Sequence, residues 1–146
     1  MFHWCREHDV AVHVSIFEPG FLRMVLGHLE AGTLPQKVKL QFYFSGPAML
    51  FGLPATSWAL DAYLALLGDA PLRWMVGVIG GDVAESGLAR LAIEAGGHVR
   101  VGLEDYGGPR RPANAELVTE VVRLAALCAR PVATCAQTRI LLDQLR

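Results

Sequence analysis

With 146 residues and a net charge of -1, the chain has the length of one domain with its own core and no electrostatic footprint for nucleic acid or an anionic membrane. Apolar residues make up 53% and charged residues 18%, which excludes a disordered chain. No apolar run approaches the roughly 18 residues a transmembrane helix needs, and residues 1–8 are too polar for a signal peptide.

In chain order, residues 1–8 read as the tail of a helix whose earlier part is absent. Residues 10–17 form a first strand and Glu18-Pro19-Gly20 a turn. A helix over 21–31 follows from the spacing of Leu22, Val25, Leu26 and Leu29. Residues 38–44 form a second strand. The loop through Ser45-Gly46-Pro47 and Gly52-Leu53-Pro54-Ala55-Thr56 leads to a helix over 57–67, which Thr56 or Ser57 can cap. A short apolar strand, 74–79, ends at Gly80-Gly81, and a helix over 83–95 follows.

Residues 98–105 come next, flanked by Gly96-Gly97 and Gly107-Gly108-Pro109. Val99, Val101 and Leu103 are apolar, while His98, Arg100 and Glu104 are polar, with Gly102 between them. That alternation predicts a strand with Arg100 and Glu104 on one face, the wall of a polar site. Asp105 falls where strand gives way to loop. Two consecutive carboxylates there can take different jobs, or they form a solvated acidic pair with Arg100 in a structural ion pair to Glu104. Asn114 is a candidate N-cap for a helix over 115–129, with Glu116 near its positive end. An extended piece, 132–134, precedes a closing helix over 136–145.

Four strands alternating with helices predict a parallel α/β sheet with right-handed crossovers. A (β/α)8 barrel needs eight strands, and this chain supplies four. A doubly wound domain competes, but Glu18-Pro19-Gly20 lacks the G-x-G-x-x-G turn of that fold. The cysteines Cys5, Cys128 and Cys135 have no metal-type spacing and read as buried, inert thiols in a reducing cytoplasm. His3, His8 and His13 recur every five residues and share no helical face, and His98 reads as a polar residue starting its strand. Trp4, Trp58 and Trp74 read as packing residues. Arg110-Arg111 is a solvated loop or a pair that meets an anionic substrate.

The run Gly96-Gly97-His98-Val99-Arg100-Val101-Gly102-Leu103-Glu104-Asp105 resembles the last barrel strand of the β-keto acid cleavage enzymes. Phe17-Glu18-Pro19-Gly20, Gly52-Leu53-Pro54-Ala55-Thr56, Asn114-Ala115-Glu116-Leu117-Val118 and Val132-Ala133-Thr134 are similar to other segments of that family in the same order. The resemblance covers nearly the whole chain and the second half of the family's barrel. It implies one domain, residues 1–146, formed by the C-terminal four β/α units of a TIM (β/α)8 barrel. It also implies a transferase using a divalent metal, usually zinc, and acetyl-CoA to cleave a β-keto acid by a retro-Claisen route, giving acetoacetate and a new CoA thioester. The family's best-known activity is 3-keto-5-aminohexanoate cleavage in lysine fermentation.

By position, the resemblance makes Glu104 the metal-binding carboxylate, Asp105 the general base and Arg100 its charged neighbour. Gly80 and Gly81 fall where barrels often hold phosphate groups, here of CoA. The departures are equally specific. The family's His-x-His pair is missing, Val12-His13 stands where Pro-Glu is common, Tyr106 replaces an asparagine, and Gly81-Asp82 replaces Gly-Arg. One carboxylate cannot close a zinc site, which needs about three protein ligands. The expected partners are therefore the β-keto acid, an acyl-CoA, and either further copies in a homo-oligomer or a complementary half-barrel chain. The alternative is a truncated, catalytically incomplete remnant. Open strand edges predict self-association or poor solubility.

Overall fold

The computed structural model describes residues 1–143. In chain order its elements are α1 (Phe2–Glu7), β1 (Val12–Ile16), α2 (Pro19–Glu30), β2 (Val38–Ser45), β3 (Leu53–Pro54), α3 (Ser57–Leu67), β4 (Arg73–Ile79), α4 (Leu88–Glu94), β5 (His98–Val99), α5 (Asn114–Leu127) and α6 (Cys135–Asp143). No described helix is long and apolar enough to cross a membrane.

All strand pairs are parallel, in the order β1-β2-β4-β5, with the two-residue β3 beside the C-terminal end of β2. The order never reverses, as it would in a doubly wound sheet. Even-numbered strand residues Leu40, Phe42, Phe44, Val76 and Val78 are buried with Leu22 and Val25 of α2, Leu60 and Tyr63 of α3, and Leu88, Ala89 and Ala92 of α4. Tyr63 stacks on Phe42 at 4.8 Å and meets Phe44 edge-on at 5.5 Å. The core thus lies on one side of the sheet. Period-2 alternation sends the odd-numbered His13, Ser15, Lys39, Gln41, Tyr43, Arg73 and Met75 to the other side. This is a parallel α/β layer consistent with part of a TIM-barrel-like domain.

Several expectations are corrected. The strand over 98–105 pairs with β4 only at His98 and Val99, plus one more rung from Arg100 N–H to Val76 C=O (2.9 Å). Beyond it the chain turns, because the N–H groups of Asp105 and Tyr106 both donate to the Gly102 carbonyl (3.2 and 3.1 Å). Leu103 is exposed rather than in the core. The helix over 83–95 begins only at Leu88. Asp82 Oδ1 accepts the N–H groups of Ala84 and Glu85 in a separate turn, and Gly87 at φ 81° breaks the path.

The segment 132–134 forms no strand. Thr134 and Gln137 instead bond each other's backbone N–H, a capping box that opens α6. Residues 144–145 of that expected helix lie outside the described residues. Ala113, not Asn114, is the N-cap of α5, with Glu116 Oε2 accepting its N–H at 2.6 Å. Thr56 occupies the N-cap of α3 without a side-chain capping bond. Only Cys5 of the thiols is buried; Cys128 is half-buried and Cys135 exposed. Trp74 packs as expected, whereas Trp4 and Trp58 are each 56% exposed.

Candidate active site

The C-terminal end of β5 carries the charged constellation. The Arg100 guanidinium donates through Nε to Asp105 Oδ2 (2.7 Å) and through a terminal nitrogen to Glu104 Oε2 (2.5 Å). The turn after Gly102 makes this possible by bringing residues four and five positions on back over Arg100. The carboxylates differ sharply in surroundings: the Asp105 side chain is 9% exposed and that of Glu104 is 81% exposed. Arg100, with 33% exposure, spans the boundary between them. Its bond to Asp105 is the chief reason the guanidinium is held above its ordinary pKa, so it is a permanent cation.

The structure thus brings Arg100, Glu104 and Asp105 together through a turn, and the structural ion pair extends to both carboxylates. It also adds residues that sequence reasoning passed over. Arg100 lies 5.8 Å from the Tyr43 ring centroid. Phe17 stacks on Tyr43 at 4.8 Å. Gly77 is in register with Tyr43, where a Cβ would come within 3.0 Å of Gln41 Nε2 and 3.5 Å of the Tyr43 ring. Burial raises the Tyr43 pKa against the opposing charge of Arg100, with Asp105 and Glu104 adding to the rise, so its phenol stays protonated. The polar odd positions 39, 41, 43 and 45 of β2 carried the signal for this face. Asn114 contributes from below, its Oδ1 accepting the Leu103 N–H (2.9 Å) and so tethering the turn.

Gly80 and Gly81 sit beside this constellation in a crowded crossing of loops. Gly80 donates its N–H to the Asp105 carbonyl (2.9 Å), and Gly107 donates to the Gly81 carbonyl (2.8 Å). A Cβ on Gly107 would come 2.6 Å from Gly80 Cα, and one on Gly81 2.8 Å from Val78 Cγ1. These glycines are required for backbone approach, and the Gly80 amide is already committed. Gly81 lines an open cleft of about 990 Å³, together with Glu18, Ser45, Met49, Asp82 and Gly107. The same wall, Val78-Gly81-Asp82, also borders a small recess reached by Arg100 and Asp105. Arg110, considered for an anionic substrate, is occupied: it grips Glu120 (2.5 and 3.0 Å) and Asp82 (3.0 Å).

Glu104 presents a solvent-facing carboxylate able to ligate a cation. Among the described residues, however, no three His, Cys, Asp or Glu side chains gather to hold a metal ion. The donor set of the described residues does not by itself fit a divalent metal.

Residues 1–143 match the family model described as beta-keto acid cleavage enzyme. The chain is 50% identical over 141 residues to the 3-keto-5-aminohexanoate cleavage enzyme of Acetoanaerobium sticklandii, covering 93% of this chain and 49% of the relative. It is 30% identical over 142 residues to the 3-oxoadipate:acetyl-CoA acetyltransferase of Cupriavidus necator, covering 94% and 49%. Identity to the 3-keto-5-aminohexanoate cleavage enzyme of Fusobacterium nucleatum is 28% over 142 residues, with the same coverage. The chain spans about half the length of these relatives and, matched along nearly all of its own, belongs to the beta-keto acid cleavage enzyme family.

Proposed function

We propose that this chain forms the C-terminal half of a (β/α)8 barrel and supplies one wall of a site that exchanges acyl groups between a β-keto acid and acetyl-CoA. The observation that carries the reading is the Arg100 fork joining a buried and an exposed carboxylate at the C-terminal end of a parallel sheet. Barrel enzymes place their chemistry at that end. The exchange balances without water or oxidant: the β-keto acid passes its acyl group to CoA, and the acetyl group becomes part of acetoacetate. The names of the relatives, 3-keto-5-aminohexanoate cleavage enzyme and 3-oxoadipate:acetyl-CoA acetyltransferase, support this substrate class.

In this reading Asp105 is the base that removes a proton from the reacting partner. Its burial keeps water from competing for that proton, and the bond from Arg100 fixes which oxygen is free to accept it. Arg100 has no basic role at neutral pH; it orients Asp105 and adds a cation beside the developing negative charge. Glu104, turned outward, would supply one ligand to a divalent metal, zinc by family, with the other donors supplied from beyond the described residues. Such a metal supplies Lewis-acid polarisation of a keto oxygen when bound. Gly81 borders the cleft proposed to receive the thioester. The free cysteines fit a protein working in a reducing cytoplasm.

The test is complementation. The chain is mixed with the half of the Acetoanaerobium relative that lies outside the match, and acetyl-CoA-dependent cleavage of 3-keto-5-aminohexanoate is followed. Activity should appear only in the mixture and disappear with Asp105→Asn. Activity that survives Asp105→Asn refutes the base assignment, and a folded but inactive mixture refutes the half-site reading. That second outcome favours the non-catalytic remnant, a reading motivated by the lack of a three-donor cluster among the described residues.

A further inference from the structure

The side of the sheet facing away from the helices is not uniform along the strands. Its upper rows hold Tyr43, Gly77 and Arg100, with both nearby carboxylates satisfied. Its lowest row is different. His13 of β1, Lys39 of β2 and Arg73 of β4 stand in direct register on three adjacent strands. Neighbouring strands are about 4.8 Å apart, and like charges directly opposite repel.

Neither Lys39 nor Arg73 makes an ion pair among the described residues, and the Arg73 Nε is buried with no hydrogen-bond partner. In the row above, the fully buried Gln41 leaves its Oε1 without a donor. His98 is held below the ordinary imidazole range by burial, then by Arg130, Arg73 and Lys39. His13 is held down by burial, then by Lys39 and Arg100. The register of His13, Lys39 and Arg73 and the unpartnered Arg73 Nε together describe a positive layer with no ion-pair partner among the described residues, while Gln41 above it lacks a donor. A buried donor left unmatched is destabilising, the more so when charged. A layer of them is a surface built for acceptors.

We infer that this lowest row docks carboxylate-bearing β-strands of a different polypeptide segment, and that two copies of this chain do not close on one another through it. The inference rests on the half-barrel reading above and names the chemistry of the complementary half. A two-fold closure would set bottom row against bottom row across a narrow interior, placing His13, Lys39 and Arg73 opposite themselves. Like-charge juxtaposition across an interface costs several kcal/mol. Strands carrying Asp or Glu at this level pair with Lys39 and Arg73 instead, and the Gln41 acceptor asks for a donor one layer up. Edge-to-edge contacts between copies are unaffected, so self-association at an open edge and rejection at this face are compatible.

The test uses the whole chain and a charge-reversed version, Lys39→Glu/Arg73→Glu, whose fold is verified by circular dichroism. Sedimentation velocity at low salt should find the equimolar mixture at least about tenfold tighter than either protein alone. The complex should weaken with salt, and the His13 and His98 imidazole resonances should move on mixing. If the reversed variant fails to fold, the neutral Lys39→Gln/Arg73→Gln serves: it should self-associate more than wild type because the repulsion is gone. A wild-type dimer as tight as the mixture, or a neutral variant no more associated than wild type, overturns the inference. Neither result touches the complementation assay. Activity restored there without charge dependence here would sink this inference and leave the proposed function standing.

Discussion

Replacing Arg100 with methionine keeps most of the side chain's volume and removes both bonds to the carboxylates. The consequence differs for the two acids. Glu104 is 81% exposed, so water replaces the lost partner and the cost on that side is under about 1 kcal/mol. Asp105 is 9% exposed and is left with a buried, unmatched charge. Breaking a fully buried pair in this way costs about 3–5 kcal/mol. Arg100 is itself 33% exposed, so water entering the vacated space recovers part of that, and we expect about 2–3 kcal/mol. Urea titration at pH 7 measures it. The penalty should fall by more than half in an Asp105→Asn background. Arg100→Lys should recover less than half of the loss, because an ammonium cannot span both acids as the fork does. A loss below about 1 kcal/mol, equal in both backgrounds, would mean that Asp105 is solvated and that Arg100 does not position it.

Other perturbations probe the surrounding frame. Gly107→Ala drives a Cβ into the Gly80 backbone and should cost about 1–3 kcal/mol with loss of amide protection at Gly80, whereas Gly27→Ala, in open space within α2, should stabilise by up to about 1 kcal/mol; equal effects would contradict the loop crossing. His98 has a folded pKa below its unfolded value, so the unfolded chain binds more protons as pH falls below about 6.5 and stability declines there, down to the lowered folded pKa. His98→Asn should flatten that decline, and a slope unchanged between pH 7 and 5 would assign it elsewhere. The isolated chain should retain no stoichiometric zinc after gel filtration, and tight zinc by elemental analysis would overturn the single-ligand reading of Glu104.

The elements whose sequence pattern matched one physical cause were legible. The spacing of Leu22 and Val25 gave α2 because it records a single buried face, and the strand read over 38–44 became β2, which is buried on both faces at every residue except Lys39. The segment 98–105 was harder, since its alternation continues through Leu103 although the chain leaves the sheet after Arg100. Two bonds to the Gly102 carbonyl and one to Asn114, eleven residues from Leu103, decide that turn, and periodicity carries no trace of tertiary bonds. The structure nonetheless brings Arg100, Glu104 and Asp105 together, the three residues singled out from a specific run of side chains. What that run could not convey was their inequality: adjacent in sequence, Glu104 and Asp105 differ ninefold in side-chain exposure.

That inequality explains how one short segment can serve two purposes. Had β5 continued to Asp105, consecutive side chains would have pointed to opposite faces and only one carboxylate could have met Arg100. The turn abandons the alternation and folds both acids over the same guanidinium, one inward and one outward. An inward acid is suited to exchanging a proton in a dry place, and an outward acid to binding something that arrives from solvent or from another chain. Arg100 makes the arrangement tolerable by bonding both acids, leaving one net negative charge there, while Lys39 and Arg73, lower on the same face, have no such partners within the described residues. The face therefore has its charges paired, with one carboxylate in excess, where the chemistry is proposed, and carries cations without ion-pair partners where only packing is at stake. Unpartnered cations confined to the packing layer are what the docking of carboxylate-bearing strands inferred above would require.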